Sequence, residues 1–257
     1  MISLSVIYWD PNPVVFRIPV LDWPILWYGV LFTLGFAVGF PLFVAILTRF
    51  LGFDQKKKAV EIADRLSIYM IVSTVLGARL GHFLFYERPN HYLRHPFEIL
   101  KIWEGGLASH GAAIGIVLGL IIFSYKIRKE VSNLSWIRLL DFVCVPAAFA
   151  GCLIRIGNFI NQEILGTATN LPWGVVFGHP ADHSIPIPRH PVQLYEALFY
   201  LGVFALLWRL SYLPSFLFKE GRLIGLFLVL VFGFRFFIEF IKPEQSLVSY
   251  GSTLTMG

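Results

Sequence analysis

The chain has 257 residues, of which 56% are hydrophobic and only 14% charged, with a formal net charge of +5 and a mean hydropathy of +0.69. A soluble domain carries about 25% charged residues, so this composition excludes a soluble globular protein and leaves a polytopic membrane protein. The positive charge is then no sign of nucleic-acid affinity, because basic residues collect in the cytoplasmic loops of membrane proteins.

The N-terminal stretch lacks a basic start and contains Asp10, Pro11, Pro13, Arg17, Pro19, Asp22 and Pro24. That pattern argues against a cleaved signal peptide, so the first apolar span is expected to stay in the membrane. Tyr8, Trp9, Trp23, Trp27 and Tyr28 cluster around its start, as aromatic residues do at a membrane interface.

A membrane-crossing helix needs about 20 apolar residues. Six such spans are predicted: Ile25–Phe50, Leu66–Tyr86, Ala108–Tyr125, Ile137–Ile156, Val192–Leu210 and Leu223–Ile241. The first connection holds Arg49, Lys56, Lys57 and Lys58; the third Lys126, Arg128, Lys129 and Arg138; the fifth Arg209, Lys219 and Arg222. These three loops are therefore expected on the cytoplasmic side and the N-terminus outside. The architecture expected is an all-α polytopic membrane protein, a single transmembrane domain over residues 1–257. It carries an outer Pro- and aromatic-rich segment, 1–24, and an outer polar loop, 158–191. Pro172, Gly174, Gly178, Pro180, Pro186 and Pro188 predict turns and short extended pieces in that loop.

Several small residues recur four apart: Gly35 and Gly39; Gly77 and Gly81; Gly111, Gly115 and Gly119. This spacing lets helix backbones approach closely in lipid. Cys144 and Cys152 lie eight apart on one predicted helix, about 12 Å along its axis, too far for a disulfide. They read as small apolar packing residues.

The polar residues within the spans carry the functional information. Tyr28 opens span one, and Arg79 lies in the outer part of span two. His110 opens span three, Arg155 closes span four, and Glu196 opens span five. Arg235 and Glu239 lie one turn apart near the outer end of span six. Each alone has a bland account. An Arg near a helix end snorkels, Arg235 and Glu239 at this spacing form a structural pair, and a lone His packs. Together they place three arginines against two glutamates in the outer half of the membrane. An anion is the natural counterpart, and Arg forks suit phosphate. At that depth the available anion is a phospholipid headgroup, so an outer-leaflet lipid-phosphate site is expected. His110, after Gly105-Gly106-Leu107-Ala108-Ser109, is of the type that moves protons at neutral pH. No metal-ligand spacing is present; His179, His183 and His190 read as solvated loop residues. No cofactor is expected. No nucleophile elbow is present, so a nucleophile would have to come from a substrate.

The stretch Arg155-Ile-Gly-Asn158-Phe-Ile-Asn-Gln-Glu163-Ile-Leu-Gly166 resembles the signature of bacterial prolipoprotein diacylglyceryl transferases. So do Trp27-Tyr28-Gly29, Gly77-Ala-Arg79-Leu-Gly81, Trp103-Glu-Gly-Gly106 with His110-Gly111, His190-Pro-x-Gln193-Leu-Tyr-Glu196, and Arg235-Phe-x-x-Glu239. The resemblance covers almost the whole chain. It implies transfer of the diacylglyceryl group of phosphatidylglycerol to the lipobox cysteine thiol of a preprolipoprotein signal peptide, with thioether formation and release of glycerol phosphate. It implies a bacterial inner membrane with the site facing the periplasm. It also implies roles. Arg155 and Arg235 are phosphate-handling catalytic cations and His110 is the candidate base. Arg155, Asn158, Tyr28 and Arg79 bind phospholipid, and Glu163, Gly166, Glu196 and Glu239 support them.

Two departures stand out: Gly-Ala-Ala follows His110 where the family often has Gly-Gly, and Lys242 stands where a third C-terminal Arg is common. The resemblance also implies a seventh span beyond Gly257, which these residues do not contain. The alternative class, a transporter or flippase for an anionic lipid or solute, usually shows two related halves, and none is visible. An intramembrane protease would need a nucleophile–base pair that is equally absent from the pattern.

Overall fold

A computed structural model describes residues 7–86 and 108–243. The Trp103-to-Gly106 motif and everything after Pro243 lie outside the described residues. Helices dominate: α1 (Trp27–Leu51), α2 (Lys56–Tyr86, after a 3-10 turn at Phe53–Gln55), α3 (Ser109–Ile127), α4 (Trp136–Ile160), α5 (Val192–Leu210), the short α6 (Pro214–Leu217) and α7 (Arg222–Glu239). Four helical segments among the described residues are long and apolar enough to cross a membrane: Trp27–Leu51, Phe53–Phe85, Ser109–Ile127 and Trp136–Ile160. The protein is a multi-pass, helical membrane protein. The last two expected spans form as helices, α5 and α7, of 19 and 18 residues. They are not among those four. Gln193, Glu196 and Arg209 on α5, and Arg222, Arg235 and Glu239 on α7, load them with polar groups.

The chain divides into two compact units, with divisions inside α1 and α4. The first comprises Met1–Leu42, Cys144–Leu213 and Leu223–Gly257; the second comprises Phe43–Val143 and Pro214–Arg222.

In the second unit α2 and α3 pack backbone to backbone. A Cβ on Gly77 would strike the Gly111 carbonyl and come within 2.7 Å of the Gly115 Cα, and one on Gly81 would strike the Gly111 Cα. Lipid offers no hydrophobic drive for helices to associate, so close van der Waals contact has to supply it, and glycines at this spacing permit it. The pair is also clamped at its basic end. Helix α2 begins at Lys56, ten residues before the span read from hydropathy. Ala59, Ile62, Ala63 and Leu66 are buried, an i, i+3, i+4, i+7 stripe that makes Lys56–Arg65 an amphipathic extension of the span. Its polar face reaches the loop after α3: Arg65 forks onto Glu130 at 2.8 and 2.7 Å, and Lys58 donates to the Glu130 carbonyl. Arg138 on α4 donates to the Leu217 and Phe218 carbonyls, capping α6, and lies over the Phe50 ring. The buried Asp141 accepts from the Gly221 amide at 2.7 Å.

In the first unit α1 and α4 meet through small residues. A Cβ on Gly35 would sit 3.2 Å from the Ala150 Cβ, and one on Gly39 would sit 3.4 Å from the Pro146 Cβ. Outside the helices this unit carries two small sheets. β2 (Val14–Ile18) and β3 (Trp23–Leu26) form an antiparallel hairpin. β1 (Ile7–Trp9) runs parallel to β4 (Val175–Phe177), and β4 pairs antiparallel with β5 (Pro188–Arg189). The polar stretch after α4 is thus turns and short strands. Its small core is Phe159, Leu165, Val175 and Phe177 with Trp9 and Leu194. Trp9 stacks on Phe159 at 4.5 Å and donates its indole N–H to the Phe159 carbonyl at 3.0 Å.

The glycine contact yields a test. Gly111→Ala should destabilise the protein by about 1–3 kcal/mol, the usual cost of overpacking. Gly202→Ala, whose Cβ would meet nothing within 4 Å, should change the melting temperature little. Thermal unfolding of both variants in detergent checks this.

Candidate functional site

Helix α4 brings the first unit's charge to its upper end. Arg155 and Asn158 are three residues apart on its last turns, so they share a face, and Arg155 Nη1 lies 3.4 Å from Asn158 Oδ1. Sequence periodicity placed Asn158 in the loop; the helix runs on to Ile160 because Phe159 is buried against Trp9 and Phe177. Asn158 Nδ2 donates to Glu163 Oε2 at 2.8 Å, and Asn161 Nδ2 to Glu163 Oε1 at 3.1 Å. The turn is also closed through the backbone, the Glu163 amide donating to the Asn158 carbonyl. Gln162 and Ile164 both sit at φ 55°. A β-branched residue in that region is strained, and Ile164 lines the cleft beside Arg155.

A cleft of about 380 Å³ opens in this unit. Tyr28, Arg155 and Asn158 supply its polar lining, while Ala147, Ala148, Gly151, Ile154, Phe227 and Val231 contribute apolar wall. Along α4 the lining runs from Ala147 to Asn158, so the cleft is apolar toward one end and polar at the other. Along α7 the wall residues Phe227 and Val231 are four apart, and Arg235 is the next position on that face. Tyr28 comes close because Gly157 has no side chain: a Cβ there would lie 2.8 Å from the Tyr28 ring.

Behind the cleft lies a buried carboxylate. Glu196 on α5 is fully buried. Its Oε2 is 3.1 Å from Arg155 Nε, and its Oε1 accepts from Lys242 Nζ at 2.9 Å. The Arg155 contact is an ion pair by distance whose angle falls short of a hydrogen bond, since Glu196 Oε2 has no hydrogen-bond donor. Lys242 is also buried, with a 6% exposed side chain. In the sequence it stands where the family commonly has an Arg. No periodicity links it to Glu196, 46 residues away.

Gly166 has a packing reason. A Cβ there would run into the His190 carbonyl and come within 2.7 Å of the His190 Cβ. The Gly166 carbonyl accepts from Arg189 at 3.2 Å, and Gln193 Nε2 donates to the Glu163 carbonyl at 2.6 Å. The signature turn is therefore held from both sides.

Arg79 and His110 belong to the second unit, where the Gly77–Gly81 and Gly111 contact brings α2 and α3 together. Arg79 is buried, its guanidinium carbon 5.3 Å from the Phe83 ring centre. His110 is exposed in the first turn of α3. Arg235 and Glu239 share a face by spacing, but among the described residues no ion pair joins them; Glu239 is exposed at the end of α7. Cys144 and Cys152 are buried and form no disulfide. Among the described residues no group of three or more His, Cys, Asp and Glu could hold a metal ion.

One cluster was invisible to pattern reading. Asp10 Oδ1 lies 2.6 Å from His179 Nδ1 and accepts from Gln162 Nε2 at 3.1 Å, and Gln162 Oε1 accepts from the His179 amide at 2.7 Å. The positive φ of Gln162 belongs to this knot. The His179 hydrogen bond, with further lowering from Gln162, holds the Asp10 carboxyl below its ordinary 3.8.

The family model described as prolipoprotein diacylglyceryl transferase matches residues 13–257. A relative from Tolumonas auensis, named phosphatidylglycerol–prolipoprotein diacylglyceryl transferase, is 41% identical over 251 residues, 98% of this chain and 90% of its own length. Relatives of the same name from Chloroherpeton thalassium and Protochlamydia amoebophila are 39% identical over 257 residues (100% and 90%) and 32% identical over 340 residues (99% and 91%).

The Asp10 knot carries a pH prediction. A carboxyl whose folded pKa is depressed stabilises the fold above its unfolded value, and that stabilisation disappears as pH falls through the folded value. The wild type should therefore melt above Asp10→Asn at neutral pH, and the gap should close as pH drops below 3.8. Paired thermal melts from neutral to strongly acid pH measure it.

Proposed function

The chain belongs to the prolipoprotein diacylglyceryl transferase family, and we propose that the half-polar cleft of its first unit holds phosphatidylglycerol during transfer. The protein is a transferase that moves the diacylglyceryl group of phosphatidylglycerol to a prolipoprotein. The acceptor is the lipobox cysteine of the signal peptide. The observation that supports this placement is the gradient along α4: apolar wall from Ala147 to Ile154, then Arg155 and Asn158 beside Tyr28. A phospholipid has the same polarity order, chains then phosphate.

The chemistry follows from the bonds exchanged. The thiolate sulfur forms a bond to the glyceryl carbon that bears the phosphate oxygen. The carbon–oxygen bond breaks, and its electron pair leaves on glycerol phosphate. The thiol proton goes to a base, for which His110 is the candidate. The phosphate gains negative charge as the bond breaks, so fixed cations facing it are worth most in the transition state. Arg155 and Arg235 are the cations assigned here, with a planar guanidinium fork suited to phosphate oxygens. Arg79 is assigned to the lipid on the same chemistry. Asn158 and Glu163 hold the turn beside Arg155, Gly166 lets that turn pack against His190, and Tyr28 closes the polar end. Glu196 positions Arg155, and Glu239 supports the end of α7.

The site is read as opening to the outer face of the bacterial inner membrane. That orientation rests on the basic loops and on six spans, α5 and α7 crossing with the other four. A transporter reading would call for two related halves, and the family membership favours the transferase.

The test uses phosphatidylglycerol and a lipobox peptide, with thioether product and glycerol phosphate followed together. Wild-type protein should yield both in equal amounts; no product would overturn the function. Arg155→Ala should lose about 10²–10³-fold in kcat, the usual cost of removing one preorganised charge-stabilising donor. A change in KM alone would mean that Arg155 only holds the lipid.

A further inference from the structure

The carboxylate of Glu196, which positions Arg155, also bears on that arginine's charge. It is a fully buried anion directly behind the arginine that faces the cleft, 3.1 Å from its Nε. An anion there does two opposite things. It orients the guanidinium, and it cancels the positive charge that a phosphate would need. Lys242 changes that balance. Its ammonium sits 2.9 Å from the other oxygen of the same carboxylate, and it too is buried. Two cations share one anion, so one positive charge is left over in a low-dielectric place where charge is strongly felt.

The donors agree with this division of labour. A guanidinium has five N–H donors. Among the described residues Arg155 gives one Nη1 hydrogen to Asn158 and keeps its Nε beside Glu196 at an angle short of a hydrogen bond, so its other three guanidinium hydrogens remain for a ligand in the cleft it lines. Lys242 does not line the cleft. It acts on Arg155 only through Glu196.

We propose that Lys242 is a positioning residue, which neutralises Glu196 so that Arg155 keeps a full positive charge for the anionic group in the cleft. The inference rests on the transferase reading and deepens it. It assigns the second half of a charge relay to a chain segment just after α7. The competing account makes Lys242 a tether that holds this segment, where Thr167 already donates its amide and hydroxyl to the Ile241 carbonyl.

Charge and tether make different predictions for a double variant. Lys242→Met leaves Glu196 to cancel Arg155, and kcat/KM should fall about 10²-fold, as for loss of one fixed charge on the developing anion. Lys242→Arg should restore most of it. Lys242→Met with Glu196→Gln has the same surplus charge as the wild type, +1 from Arg155 alone, and should recover most of the loss. If Lys242 is only a tether, the double variant is no better than the single one, and the proposal fails. A Lys242→Met variant with wild-type kcat/KM overturns it as well.

Direct binding of glycerol phosphate, followed by titration calorimetry in detergent, gives a reading independent of turnover. Its dissociation constant should weaken at least about tenfold in Lys242→Met and return in the double variant. An unchanged constant in Lys242→Met counts against the proposal. If Lys242→Met does not fold, Lys242→Gln, which keeps an amide donor for Glu196 without the charge, takes its place in every comparison. A wild-type protein without transferase activity would instead sink the transferase reading, and the glycerol phosphate constants would still decide the Lys242 question.

Discussion

The carboxylate of Glu196 organises the first unit. An anion with no access to water is tolerated only when it is paired, and removing one partner costs about 3–5 kcal/mol because the charge left behind is uncompensated. Its two partners come from different elements, Arg155 from α4 and Lys242 from the segment after α7. The pairing therefore specifies which elements meet and in what register more than it adds net stability. From Arg155 the contacts continue to Asn158 and Glu163, and from the Glu163 carbonyl back to Gln193, one turn before Glu196 on α5. The loop of contacts closes on itself. That closure holds a strained turn, with Gln162 and Ile164 at positive φ, in the one conformation that leaves Arg155 facing the cleft.

Each packing device suits its solvent. Within lipid, helices gain nothing from hiding apolar side chains, so Gly77, Gly81, Gly111 and Gly115 bring α2 and α3 together by backbone contact. Outside the helices, the N-terminal strands and the polar stretch after α4 must satisfy their own amides. They do so by pairing strand to strand, β1 with β4 and β4 with β5, over a small aromatic core that the hydrophobic effect can drive. Asp10 and His179 add a polar clasp at the same place.

Much of this was legible in the residues. Hydropathy located α1 to α4 to within a few residues, except where α2 extends into an amphipathic stripe that a search for apolar runs passes over. The glycine spacing marked α2 and α3 as helices able to pack closely, and the structure supplied the pairing. Arg155 and Asn158 belong to a single helix, so their proximity follows from the 3.6-residue turn alone. The same local logic failed for Arg235 and Glu239. Spacing puts two side chains on one face, but it does not say that they turn toward each other, and here they form no pair.

The sequence by itself determined that the protein is a helical, multi-pass membrane protein, that arginines stand where lipid makes them costly, and which family it belongs to. Those properties are written in composition, in helical period and in a contiguous twelve-residue signature, and each is local along the chain. Only the tertiary structure decided that Lys242 and Arg155 share Glu196, that Asp10 and Gln162 hold His179, and that Gly166 is small because His190 passes over it. These contacts join residues 17 to 169 positions apart. At such separations the partners are chosen by the burial of a charge or the closing of a turn, and neither leaves a periodic trace in the chain.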